Sequence, residues 1–212
     1  MIRRSVRKRF HTVYWTPPEF DIQAPAIFVP NHHGWFDGYL MFHVVTRLRV
    51  PTLDWIQEFD AFPLFAKIGG LPYPLGDPDR RTATVLKTIR LMENEGWSLL
   101  LFAEAELHYP PELLEFGKAL ATVARKVPRV QVIPVAIQYE MALHERPEAF
   151  IALGQPVALG DNLITRTRTA VAGLLNETST RIKKNRNEFQ ILAKGIPDVN
   201  ERWDLRRLNG SS

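Results

Sequence analysis

An α/β fold is what this 212-residue sequence predicts: a single domain with a mostly parallel central sheet flanked by helices, preceded by a short amphipathic N-terminal helix. Three observations predict it. Short apolar runs rich in β-branched residues alternate along the chain with longer segments of helical period. The segment 79–95 carries a start signal, a stop signal and an apolar stripe on one face. With 45% apolar and 24% charged residues, the chain can bury one sizeable core.

The elements follow in order. Ile2, Val6, Phe10 and Val13 recur near helical spacing, Tyr14 and Trp15 follow, and Arg3, Arg4, Arg7, Lys8 and Arg9 fill most places between. This basic segment, residues 1–16, reads either as an interfacial helix on anionic lipid or as an amphipathic helix docked on its own domain. Strands are expected at 25–29, 52–56, 71–75, 97–102, 130–139 and 149–153. Helices are expected at 35–47, 63–68, 79–95, 118–126 and from 165 to about 193. For 79–95, Asp79 is the expected cap, Gly96 the stop, and Val85, Ile89 and Met92 the stripe that lies on the sheet. The domain is expected over 17–194. A polar tail, 195–212, follows, with Trp203 and Leu205 as its sizeable docking handles.

Composition narrows the chemistry. Without cysteine there is no disulfide framework and no thiolate ligand or nucleophile, which suits a cytoplasmic setting. No run reaches the roughly 18 apolar residues that a spanning helix needs. Both ends are basic: residues 1–9 hold five Arg/Lys and no acid, and residues 181–212 hold eight against four acids, so the stretch between is net acidic. With aromatic and aliphatic residues interleaved among the N-terminal bases, anionic lipid headgroups are a better match than nucleic acid.

Between two apolar runs stands a polar interruption, PAIFVPNHHGWFDGYLMF (residues 25–42). It falls where a strand ends and a helix starts, the edge at which open α/β sheets present ligands. His32 and Asp37 would point about 140° apart in one continuous helix. With His32 in the loop, Asp37 in the first helical turn and a bend at Gly34, the carboxylate can fold back on the imidazole. Such a pair is a general base without its own nucleophile, so a substrate hydroxyl must supply one. The alternative is an acid favoured at a helix start by the backbone dipole. A metal site is not expected: neighbouring His32 and His33 point opposite ways, and His43, His108 and His144 are scattered.

These blocks resemble the glycerolipid acyltransferases of the lysophosphatidic acid type. NHHGWFDG resembles that family's Asn-His-x-x-x-x-Asp block, and QVIPVAI (131–137) resembles its fourth block. Between them, LLLFAEAELHYP (99–110) stands in the place of the Phe-Pro-Glu-Gly-Thr-Arg block, EFGKALATVA (115–124) resembles the Phe-Lys-x-Gly-Ala segment, and AFIALGQPV (149–157) a later strand. The resemblance spans residues 24–157. The third block departs: Phe102 and Glu104 match, but Ala103, Ala105, Glu106 and Leu107 replace Pro, Gly, Thr and Arg. The second block, GGLPYPLGDPDRRTA (69–83), lacks its usual Ile-Asp-Arg ending, and Arg80 and Arg81 come later, at a helix start.

The resemblance implies an acyltransferase that moves a fatty acyl group from the thioester of acyl-CoA or acyl carrier protein to a hydroxyl of a lysophospholipid or other membrane lipid. His32 would be the base and Asp37 its orienting partner. Glu104 would bind the acceptor or support the loop, Arg80 and Arg81 would hold a phosphate or be solvated, and Lys118 would belong to the substrate site. No cofactor beyond the acyl donor is implied. The expected partners are the donor, a lipid acceptor and a membrane surface, with the enzyme peripheral on the cytoplasmic face. Two other readings stay open: a lipid-binding member of the fold with an idle pair, and a thioester or ester hydrolase. The hydrolase has no Gly-x-Ser-x-Gly elbow in this sequence.

Overall fold

The computed structural model describes residues 1–203; residues 204–212, Leu205 among them, lie outside the described residues. In chain order the elements are α1 (Ile2–Arg9), β1 (Thr12–Thr16), β2 (Ala26–Pro30), α2 (Asp37–Leu48), β3 (Thr52–Ile56), β4 (Gly70–Pro72), α3 (Pro78–Glu95), β5 (Ser98–Leu100), α4 (Ala119–Lys126), β6 (Gln131–Glu140), β7 (Glu148–Leu153), α5 (Leu163–Lys184), β8 (Gln190–Lys194) and α6 (Val199–Arg202). The strands form one sheet in the order β4-β3-β5-β2-β6-β7-β1-β8. Among the described residues, these strands pair parallel except for β6–β7 and β1–β8, which are antiparallel.

Both faces of the central strands are covered, which explains their continuous apolar runs. Ile27, Val29, Leu99, Leu101 and Val132 point to the face packed by α3, α4 and α5. Ala26, Phe28, Leu100, Ile133 and Val135 alternate to the other face, with Leu40, Met41 and Val44 of α2 and Val6 of α1. β6 tolerates its central Pro134 because β7 pairs only from Val135 onward, and the Pro134 carbonyl still accepts from Gly154 N at 2.9 Å.

The α/β architecture and the mostly parallel sheet are as expected; one open choice is decided and several details are corrected. α1 is the docked alternative: Ile2, Val6 and Phe10 are buried, leaving Arg3, Arg4, Arg7, Lys8 and Arg9 exposed. Val13, Tyr14 and Trp15 do not extend its helical pattern but form β1, where Val13 and Trp15 face α2 and Tyr14 stacks on Phe150 from the opposite face. That strand is internal to the sheet, between β7 and β8. The cap of α3 is Asp77, whose carboxylate accepts from Arg80 N at 2.9 Å, with Asp79 inside the first turn; Gly96 ends the helix with φ 68°. The segment 63–68 is a 3₁₀ helix.

The long C-terminal helix stops at Lys184 instead of running to about 193. Asn185 breaks it with extended backbone, and residues 190–194 add an edge strand antiparallel to β1. Gln, Ile, Leu, Ala and Lys are all compatible with helix, and β8 is largely exposed, so no period-two burial pattern marks it. Trp203, expected as a docking handle, is exposed.

Candidate active site

β2 delivers the polar interruption to the carboxyl edge of the sheet, and Asn31 fixes its exit. Fully buried, Asn31 accepts from Ile137 N at 2.7 Å and donates to Ile137 O at 3.0 Å, imitating one more ladder pair with β6. The chain then bends and Asp37 opens α2. Its carboxylate, buried completely, meets His32 Nδ1 at 3.1 Å, accepts from Gly34 N at 2.9 Å and accepts from the Tyr139 hydroxyl. Three donors converge on one buried carboxylate, which compensates its removal from water. Burial and the Asp37 charge push the Tyr139 phenol far above its usual range, so it stays a donor.

Gly34 is required for clearance. A Cβ there would collide with the Tyr139 ring, the same ring whose hydroxyl holds Asp37. Glycine was expected at this bend for flexibility; close approach is the reason the structure gives.

With Nδ1 on Asp37, the other nitrogen of His32 makes no hydrogen bond among the described residues, and the imidazole lines an open cleft of about 870 Å³. The His32 ring lies 4.3 Å from that of Phe102. Apolar side chains, among them Trp35, Tyr39, Phe42 and Phe65, dominate the wall, a composition suited to an acyl chain. His33 turns elsewhere: its Nδ1 lies 3.1 Å from Asn31 Nδ2 and its Nε2 donates to Glu112 O at 3.2 Å. Burial lowers the His33 pKa against the raising effect of Glu104.

The remaining site residues separate. Glu104 sits at the hub of the loop after β5: Oε1 accepts from His32 N at 2.7 Å, and Oε2 accepts from Leu114 N at 2.7 Å and meets His108 Nε2 at 2.6 Å. Its oxygens are occupied by the scaffold, tying the His32 loop to the third block. Arg81 and Lys118 line the cleft, Arg81 lying 6.0 Å over the Tyr73 ring. Arg80 is turned away into a two-pronged pair with Asp60, both contacts 2.7 Å.

Sequence reasoning gave no role to Tyr139, His108 or Asp54. Tyr139 and His108 are seen only once β6 and the 103–118 loop are folded beside the histidine. Asp54 follows the alternation of β3 and lines the cleft beside Gly38. Its accessible surface opens into that cavity, and burial raises its pKa to about 7 against a lowering backbone contact with Trp55. His33, Glu104 and His108 bring three ligand atoms within 4.8 Å of one another, but both Glu104 oxygens are held by backbone amides, those of His32 and Leu114.

Residues 7–138 match the model of the acyltransferase family, and the chain belongs to that family; it is an acyltransferase. Among solved structures it is similar to the 1-acyl-sn-glycerophosphate acyltransferase PlsC from Thermotoga maritima, with a TM-score of 0.61 and 18% identity over 80% of this chain and 73% of that one, a likeness of fold. No curated protein matches the sequence. Among the described residues, no helix is long and apolar enough to cross a membrane.

Proposed function

We propose that the enzyme transfers a fatty acyl group from an acyl-CoA or acyl carrier protein thioester to a hydroxyl of a lysophospholipid or related membrane lipid. The observation that carries this reading is the His32–Asp37 pair opening onto an apolar cleft, with no hydroxyl among the described residues hydrogen-bonded to the free nitrogen of His32. His32 Nε2 takes the acceptor hydroxyl proton as the oxygen attacks the thioester carbonyl. Asp37 holds the tautomer and balances the imidazolium. As the tetrahedral intermediate collapses, the C–S bond breaks and the proton passes from His32 to the departing thiolate, giving ester and thiol. The amides of His32 and Gly34 are already spent on carboxylates, so the oxyanion takes its donors elsewhere.

Arg81 and Lys118, which both line the cleft, are the cations this reading assigns to an acceptor phosphate. Peripheral attachment to an anionic cytoplasmic leaflet is supported by the exposed bases of α1, whose apolar face is already used inside the protein. The test is thioester turnover by the purified chain, with products weighed by mass spectrometry, with and without a lyso-lipid. New ester only when acceptor is present is expected. Acyl release equally fast without acceptor makes the protein a hydrolase, and no turnover with any donor leaves a lipid-binding member of the fold.

A further inference from the structure

At the edge of the sheet away from the cleft, three distant parts of the chain meet. His11 lies between α1 and β1, His144 in the turn between β6 and β7, Asp198 at the cap of α6 and Glu201 within it. The two imidazoles stack with centroids 3.5 Å apart and planes 6° from parallel. One ligand atom from each of the four residues lies within 4.8 Å of the other three. His11 Nε2 is 3.0 Å from Glu201 Oε2, and His144 Nδ1 is 2.7 Å from Asp198 Oδ2.

We propose that His11, His144, Asp198 and Glu201 form a divalent-cation site, of the Zn²⁺ type, that fastens the C-terminal segment across the first strand. Two imidazole nitrogens and two carboxylates are a four-coordinate donor set for Zn²⁺, and the carboxylates neutralise its charge. Metal–ligand bonds of about 2.0–2.2 Å place tetrahedral ligand atoms roughly 3.3 Å apart, and an imidazole ligates in its own plane, so binding draws the ligand atoms together and swings the two stacked rings out of parallel.

The surroundings support ligation, because a metal-bound imidazole usually gives its second nitrogen to an oxygen acceptor. His11 Nδ1 is 3.1 Å from Thr12 Oγ1, which is buried. His144 Nε2 faces Glu148 Oε1 at 3.7 Å, and Glu148 is itself buried and paired with Arg186. Among the carboxylates, Asp198 Oδ1 accepts from Glu145 N at 3.2 Å, and Glu201 Oε2 accepts from Asp198 N at 2.7 Å. Both ligand identity and orientation are thus held by a second ring of contacts. The crossing is also built tightly: Gly195 N donates to His11 O at 2.8 Å, and a Cβ at Gly195 would collide with Phe10 O. Sequence reading set metal aside on the opposed His32 and His33 and the scatter of the other histidines; ligands lying up to 190 positions apart leave no local spacing to read.

The test uses the full chain, stripped with a chelator and titrated with Co²⁺, then with Zn²⁺ as competitor. Expected are the visible bands of four-coordinate Co²⁺, one equivalent per chain, displacement by Zn²⁺, and a higher melting temperature with metal. His144→Ala should weaken uptake by more than the roughly 10–100-fold typical of an outer-shell change. Glu201→Ala, at an exposed position, keeps the test usable should His144→Ala fold poorly, and it too should lose affinity. His108→Ala, which breaks the three-residue group near the cleft, should leave uptake unchanged. Absence of one-to-one uptake by the unmodified chain overturns the proposal and leaves two histidine–carboxylate hydrogen bonds. So does uptake that survives both His144→Ala and Glu201→Ala, or that is lost with His108→Ala.

Discussion

Along β2 and β7 every residue is buried, and Asn31 extends the β2–β6 pairing past the end of the strand. Across the sheet, β4 and β5 have three residues each, and the segments beside them expose Phe62, Leu64, Ile68, Leu75 and Tyr109. The first region holds the His32–Asp37 pair; the second forms much of the cleft it faces. The difference divides the labour of the site. A base needs its geometry fixed to fractions of an ångström, which close packing supplies. A lipid acceptor needs an apolar opening, and the loosely covered half leaves one.

The largest expected effect strikes the closed half. Asp37→Asn should lower acyl transfer by roughly 10²–10⁴ in kcat, because the amide no longer enforces the tautomer of His32. It should also lower the melting temperature, since one of the two oxygens that accept from Gly34 N and the Tyr139 hydroxyl becomes an NH2 group that cannot accept. An Asp37→Asn protein with full activity would mean that the two halves do not divide as described.

How far each half was legible from sequence follows the same line. Central strands bury both faces, so their apolar runs announced β2, β6 and β7 to within a residue, and the half-buried β3 was placed to the residue as well. The His32–Asp37 pairing was legible because the two residues are local and flank a bend. Tyr139, which holds Asp37 from 102 positions away, was not, since a tyrosine at a strand end carries no local mark of its partner. On the open half, Arg80 and Arg81 are indistinguishable by sequence. Only the fold shows that Asp60 claims the first and the cleft the second. β8 was missed for the complementary reason: an edge strand with little burial shows no alternation.

A smaller effect belongs to the open half and separates those arginines. Arg81→Gln should lower kcat/KM for a phosphorylated acceptor by roughly 10–100-fold, the worth of one charge-assisted contact, and change an unphosphorylated acceptor little. Arg80→Gln should leave both nearly unchanged. Equal losses for Arg81→Gln on both acceptors would remove the phosphate from the account.

The smallest effect is one of stability. Folded Asp54 keeps its proton to about pH 7, whereas the unfolded chain releases it near its ordinary value of 3.8. The folded state therefore binds the extra proton between those values, and stability falls as pH rises through that window. Asp54→Asn should raise the melting temperature at pH 8 and leave it almost unchanged near pH 3.5. A variant that melts equally with the parent at both would place Asp54 in ordinary solvent.

The most direct test of the central claim compares two neighbours, His32→Ala and His33→Ala, in the same acyl-transfer assay with melting temperatures recorded. His32 faces the cleft with Asp37 behind it, while His33 is spent on Asn31 and the Glu112 carbonyl. The expected result is a loss of roughly 10²–10⁴ in rate for His32→Ala at nearly unchanged melting temperature, and a small loss for His33→Ala. An inactive His33→Ala beside a His32→Ala that keeps most of its activity would contradict the assignment of the base.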